Sequence, residues 1–185
     1  HFQVQAYRAG KTKSATFRQG ILVDETPIQA TQGPDGTQVT FEPDETIFHQ
    51  YRFIPQFVEE QLWNYAFLNT GLTIHFNGQK YVSKKGLLDL LERKTDAEAL
   101  RYPIIRLQGE DIEVALSHGN QYGEEYYSFV NGQFTNQGGT HLAAFREALV
   151  KTVREFYKKQ FDATDIRASV VGAIAIRVQE PVFES

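Results

Sequence analysis

Seven cations fall in the middle of the chain, at Lys80, Lys84, Lys85, Arg93, Lys94, Arg101 and Arg106. Lysine and arginine at this density, carried on loops and helix ends, can neutralise the phosphates of a nucleic-acid backbone without reading its bases. The same residues would serve equally well as an ordinary solvated face, and the sequence leaves the two readings even. A net charge of −4 excludes a chain that coats nucleic acid indiscriminately. It leaves room for a small basic wall on an acidic body.

Residues that could catalyse are sparse. No Gly-rich phosphate loop, dinucleotide fingerprint or nucleophile elbow is present. The histidines at 1, 49, 75, 118 and 141 lack the helical spacing of a metal-binding pair, and the absence of cysteine removes thiolate sites and disulfides. Ser117 and His118 read as neighbours in a polar turn, and Asp111, Glu124 and Glu125 as solvated turn carboxylates. His141 reads as a first-turn helix residue touching the loop before it. No catalytic residue and no metal ligand is assigned. Alternation puts Tyr127 and Phe129 on one face of a strand and Tyr126 on the other, and such aromatics belong to a core before a base-stacking surface.

These residues need a folded frame, and the composition provides for one. At 185 residues, 41% apolar and 23% charged, the chain suits one ordinary domain or one and a part. No run reaches the ~18 apolar residues of a membrane span, so no membrane partner is expected and a cytoplasmic location is. Methionine is absent, including at residue 1, and Ser185 follows a strand-like run directly. Both ends read as cut, as in an internal piece of a longer protein.

Phe2, Val4 and Ala6 alternate with polar residues, and extended character resumes from Ser14 to Arg18, which predicts a hairpin turning at Gly10. Residues 24–36 read as a loop, followed by a strand over Gly36 to Phe41. Pro55 opens a helix to about Asn69, with Val58, Leu62, Tyr65, Ala66 and Leu68 apolar, Glu59 and Glu60 in the early turns, and Gly71 as its left-handed cap. Strands 73–76 and 80–82 flank the hairpin signal Asn77-Gly78. A short helix over 86–93 and strands over 104–107, 112–116 and 125–130 follow. The longest helix is expected over 141–159, with Leu142, Phe145, Leu149, Val153 and Phe156 buried against Ile174 and Ile176 of a final strand. Strands mixed with helices, without regular alternation, indicate α+β.

That longest helix opens from Asn131-Gly132-Gln133-Phe134-Thr135-Asn136-Gln137-Gly138-Gly139-Thr140-His141, where the Gly pair frees the backbone and Thr140 is placed to cap the first amides. With Gly36-Thr37-Gln38-Val39-Thr40-Phe41-Glu42-Pro43-Asp44, Ala66-Phe67-Leu68-Asn69-Thr70-Gly71-Leu72, and Asp165-Ile166-Arg167 running on to Glu180-Pro181-Val182-Phe183-Glu184-Ser185, the chain resembles the B subunits of bacterial type II DNA topoisomerases. The resemblance spans nearly the whole chain, in family order and spacing.

It implies two parts. Residues 1–48 would be the last strands of a GHKL-type ATPase domain. Residues 49–185 would be a transducer domain, similar to the second domain of ribosomal protein S five with its left-handed βαβ crossover. Thr37 would offer a hydroxyl and Val39 an apolar wall to the nucleotide, and Lys84, Lys85, Arg93, Lys94 and Arg101 would face double-stranded DNA. The family uses ATP and Mg²⁺, works as a dimer of B subunits with A subunits in a heterotetramer, and couples gate closure to DNA strand passage. Its other nucleotide-binding motifs would lie outside this sequence, so ATP is not expected to bind here. Relatives carry an Arg-Leu-Arg-Glu-Leu pattern where this chain reads Gln61-Leu62-Trp63-Asn64-Tyr65, an aromatic in place of a DNA-facing cation. Asp165-Ile166-Arg167-Ala168-Ser169 departs from the usual Arg-Glu-Gly; together these divergences lean towards topoisomerase IV, and gyrase stays open beside it. The alternatives are the second domain of another GHKL ATPase, such as a MutL-type repair protein, and a free-standing α+β nucleic-acid-binding module.

Overall fold

A computed structural model describes residues 1–182, so Phe183-Glu184-Ser185 of the terminal motif lies outside the described residues. The chain parts into two compact units between Ile54 and Pro55, six residues beyond the expected seam at 48/49.

The first unit is a sheet made by tight turns. Ala9-Gly10 and Gln19-Gly20 each hold two consecutive positive φ angles, the twist that suits a two-residue hairpin. They join β1 (Phe2–Arg8), β2 (Lys11–Arg18) and β3 (Ile21–Glu25), and β4 (Gln29–Ala30) and β5 (Gly36–Phe41) complete the order β3-β2-β1-β5, with β4 on β2. The span 24–36 is therefore not all loop. Cross-strand pairing puts Phe2, Val4, Ala15, Phe17, Val39 and Phe41 on one face.

The second unit opens with α1 (Pro55–Leu68), the hairpin β6 (Ile74–Phe76) and β7 (Gln79–Tyr81), and α2 (Leu87–Lys94). Asn77 and Gly78 both take positive φ in that hairpin turn, as the dipeptide predicts. After β8 (Ile105–Gln108), β9 (Ile112–His118), β10 (Glu125–Val130) and β11 (Gln133–Phe134) come α3 (Thr140–Tyr157), α4 (Ala163–Arg167) and β12 (Val170–Ile176). The sheet order is β11-β10-β12-β9-β8. Among the described residues of this sheet only β10 and β12 pair in parallel, across the α3–α4 connection, so the sheet is mixed and the class α+β.

Both faces of this sheet are covered, and β12 shows why. Val171 and Ala173 join Ala115, Phe129 and Phe67 under Leu87, Leu90 and Leu91 of α2. Each of those leucines is at most 1% exposed and contributes roughly 1.5–3 kcal/mol by leaving water. Ile174 faces the other way, with Val114 and Leu116, against Leu142, Phe145 and Leu149 of α3. Gly172 keeps that face open, because a Cβ there would stand 3.0 Å from the Tyr126 ring and 3.2 Å from Phe145.

Several expectations need correction. Phe156 is 77% exposed, and Leu142, Phe145, Leu149 and Val153 are only partly buried, so the α3 stripe is half-covered and ends before Phe156. Tyr65 of α1 is also exposed, and Trp63 and Phe67 take the inward positions. Thr140 is the first helical residue; Gly139 occupies the cap with φ 134° and no side-chain bond, so the Gly pair alone shapes that entry. Ser117 and His118 end strand β9, where their side chains alternate.

Candidate functional site

The basic residues collect around α2, and that helix is held by carboxylates at its start. Asp89 turns back to accept bonds from the Ser83 hydroxyl at 2.8 Å and the Lys84 and Lys85 amides at 2.9 Å each. Glu113 of β9 accepts from the Leu87 amide and from Arg106 Nε, both at 2.9 Å. Burial opposes ionisation of Asp89, but the Lys85 amide, Ser83 hydroxyl and Lys84 amide outweigh it and hold the carboxyl below its ordinary value. The positive end of α2 is thus already neutralised from within the protein, and any phosphate drawn to this region must be met by side-chain cations.

Lys84 and Lys85 precede α2, and Arg93 and Lys94 close it, about 12 Å farther along the helix axis. Lys84, Lys85, Arg93, Lys94 and Arg101 are all exposed. Lys85 lies 3.5 Å from Glu92, and Lys94 3.9 Å from Glu60, contacts of solvated groups that leave both cations available. Arg106 is different. Its pairing with Glu113, at 27% and 16% side-chain exposure, withdraws it from the surface set. Trp63 does not stand free on α1 either. Its ring stacks on Phe67 at 5.4 Å, meets Tyr81 edge-on at 5.2 Å, and carries the Arg93 guanidinium 4.4 Å from its centroid.

Thr37 and Val39 lie on one face of the edge strand β5, opposite Ala6 and Val4. Both are exposed, Val39 by 51%. The cleft in this unit is lined elsewhere, by His1, Phe2, Phe17, Asp44, Thr46 and Ile47 among others, and neither Thr37 nor Val39 borders it. These two residues belong to the first unit and the five exposed cations to the second.

One carboxylate that could have done acid–base work is engaged. Glu124 is not solvated: it accepts from Arg146 Nε and Nη2 at 3.0 and 2.8 Å, from Arg167 Nε at 3.1 Å and from the Tyr126 hydroxyl at 2.8 Å. Burial opposes its ionisation, yet Arg146, Tyr126 and Arg167 prevail and lower its pKa. A carboxylate so filled binds β10, α3 and α4 together and makes a poor general base. Nothing in the local sequence signals this, since Arg146 and Arg167 lie 22 and 43 residues away. Ser117 donates to the Tyr102 carbonyl, while His118 bridges the Tyr102 hydroxyl and the Ile166 carbonyl, so the two form no nucleophile–base pair. His141 meets Thr135 Oγ1 of the preceding loop at 3.4 Å, and burial lowers its pKa, as a structural first-turn residue would. Among the described residues no acidic or histidine group is arranged to hold a metal, and no buried side-chain polar atom lacks a partner.

Comparison with known proteins adds to this geometry. Residues 55–185 match the family model described as DNA gyrase B, and that span is the second compact unit. The whole chain is 41% identical, over 184 residues, to the B subunit of DNA topoisomerase 4 from Borreliella burgdorferi, covering 31% of that protein. It is 29% identical to the B subunit of DNA gyrase from Thermotoga maritima, over 98% of this chain and 33% of the relative. The chain spans about a third of the length of these curated relatives. Its fold is similar, with a TM-score of 0.80 and 26% identity, to the 43K ATPase domain of Thermus thermophilus gyrase B, solved with an aminocoumarin, over 99% of this chain and 56% of that one.

Proposed function

The chain belongs to the DNA gyrase B family, and from that membership we propose that it is the transducer segment of a type II DNA topoisomerase B subunit, preceded by the closing strands of the nucleotide-binding domain. The coincidence of the family match, residues 55–185, with one compact unit carries this reading. In the assembled enzyme, an ATP-dependent isomerase acting in the cytoplasm, the segment couples closure of a gate between two B subunits to strand passage through the core shared with the A subunits. The higher identity to a topoisomerase 4 relative than to a gyrase one supports the topoisomerase IV branch.

The fold suits transmission. The crossover from β10 through α3 and α4 to β12 is tied by parallel pairing and by Glu124, so these elements move as one body, as rigid-body coupling requires. Thr37 and Val39 would supply a hydroxyl and an apolar side chain to one edge of an adenine pocket. Among the described residues no cluster of acidic or histidine side chains is arranged for Mg²⁺, and no hydrolytic step is assigned to this chain. Lys84, Lys85, Arg93, Lys94 and Arg101 would face the duplex as a sequence-blind wall.

The test is strand passage by the reconstituted tetramer. Reversing Lys84, Lys85 and Arg93 to Glu should abolish ATP-dependent relaxation and decatenation with little loss of thermal stability, because solvated charges contribute little to folding. Full activity in the triple variant would make these residues an ordinary solvated face.

A further inference from the structure

Arg93 stands nearer an aromatic ring than any other cation of this surface, 4.4 Å from the Trp63 centroid against 5.9 Å for Lys94 over Tyr127. Trp63 is half-buried and fixed from beneath by Phe67, which is 3% exposed, and from the side by Tyr81, also 3% exposed. The Arg93 guanidinium carbon lies over the indole, 4.4 Å from its centroid. A guanidinium lying on a ring keeps its N–H donors in the plane of the fork, pointing sideways and free to bond. Arg106, Arg146 and Arg167 spend theirs on Glu113 and Glu124, and Arg154 spends its donors on the Phe161 carbonyl. Among the described residues Arg93 has no such acceptor, while its charge is already placed over the ring. Lysine tails such as Lys84 and Lys85 must lose side-chain freedom when they bind; a stacked arginine has lost much of it beforehand.

We propose that Trp63 is a positioning residue, and that it holds Arg93 as a fixed contact for one backbone phosphate of a nucleic-acid duplex. This inference rests on the assignment of the central cations to a DNA wall.

The chain has one tryptophan, so its emission reports on this platform alone. A short end-labelled DNA duplex is titrated into the 185-residue chain at several salt concentrations, following label anisotropy and Trp63 emission together. Both signals should move with one midpoint. Arg93→Gln should lower the slope of log affinity against log salt by about one and leave the residual, lysine-borne binding silent in Trp63 emission. Trp63→Leu should weaken binding as much as Arg93→Gln, the double variant no further than either, and Trp63→Phe, which keeps a ring face, should recover most of the loss. Normal binding by Trp63→Leu, or binding that Trp63 emission never registers, would overturn the inference while Lys84→Gln still weakened the complex and upheld the DNA wall. If the unaltered chain binds no duplex at low salt, both fall together.

Discussion

Glu113 meets the start of α2 directly over Gly86, in space that a side chain at residue 86 would enter. A Cβ at residue 86 would stand 2.5 Å from the Glu113 Oε1 that accepts the Leu87 amide, and the backbone there holds φ at +62°. One position thus serves both a left-handed turn and a close approach between β9 and the helix that carries the basic residues. Gly86→Ala should therefore cost about 2–4 kcal/mol, from backbone strain together with the lost charge-assisted bond. Urea denaturation at neutral pH measures it, and an unchanged midpoint would mean that Glu113 can step aside freely.

Glu124 should make stability depend on acid. Its pKa is lowered from an ordinary 4.5, so in that interval the unfolded chain binds more protons than the folded one. The stabilisation is complete above the ordinary value and is lost as pH falls through the depressed one. Asp89 is lowered as well and acts in the same direction. Glu124→Gln should cost about 1–3 kcal/mol at neutral pH and flatten the acid limb of a melting-temperature profile. A parallel acid limb in the variant would assign the dependence to other carboxylates.

The 185-residue chain should show no ATP turnover and negligible nucleotide affinity. Thr37 and Val39 sit exposed on an edge strand with no phosphate-binding group described beside them. Titration calorimetry checks this directly. Micromolar binding that survives Thr37→Ala would place a nucleotide site somewhere other than β5.

Two residues on one stripe of α3 should respond unequally to truncation. Leu149 packs against the Val114, Leu116 and Ile174 cluster, whereas Phe156 is 77% exposed. Leu149→Ala should cost about 1–3 kcal/mol, a partly buried version of the usual core penalty, and Phe156→Ala less than about 0.5 kcal/mol. Equal losses in chemical denaturation would mean that the far half of α3 is covered in solution.

Local chemistry made much of the frame legible. Asn77-Gly78 announced its hairpin because both residues tolerate positive φ. The same signal stood at Asn131-Gly132, where β10 turns into β11, inside a stretch that reads as plain loop when only its polarity is weighed. The strand Ile21–Glu25 was hidden because all five of its residues are exposed, so it lacks the alternation that burial imposes.

Residue types and short repeats were enough for the α+β class, the long helix, and the shared face of Tyr127 and Phe129. Repeats of two or 3.6 residues act over a few positions, and so can be seen in the chain before it folds. Which charges are free was settled only by packing. Glu124 looked solvated until Arg146 and Arg167 closed on it, Arg106 looked available until Glu113 claimed it, and Trp63 looked like a lost cation until Arg93 came to rest on its ring. Periodicity also showed which α3 residues share a stripe, but not where the sheet beneath that stripe ends. Such facts depend on which distant segments the packed sheet and helices bring within bonding distance, and no local pattern encodes that.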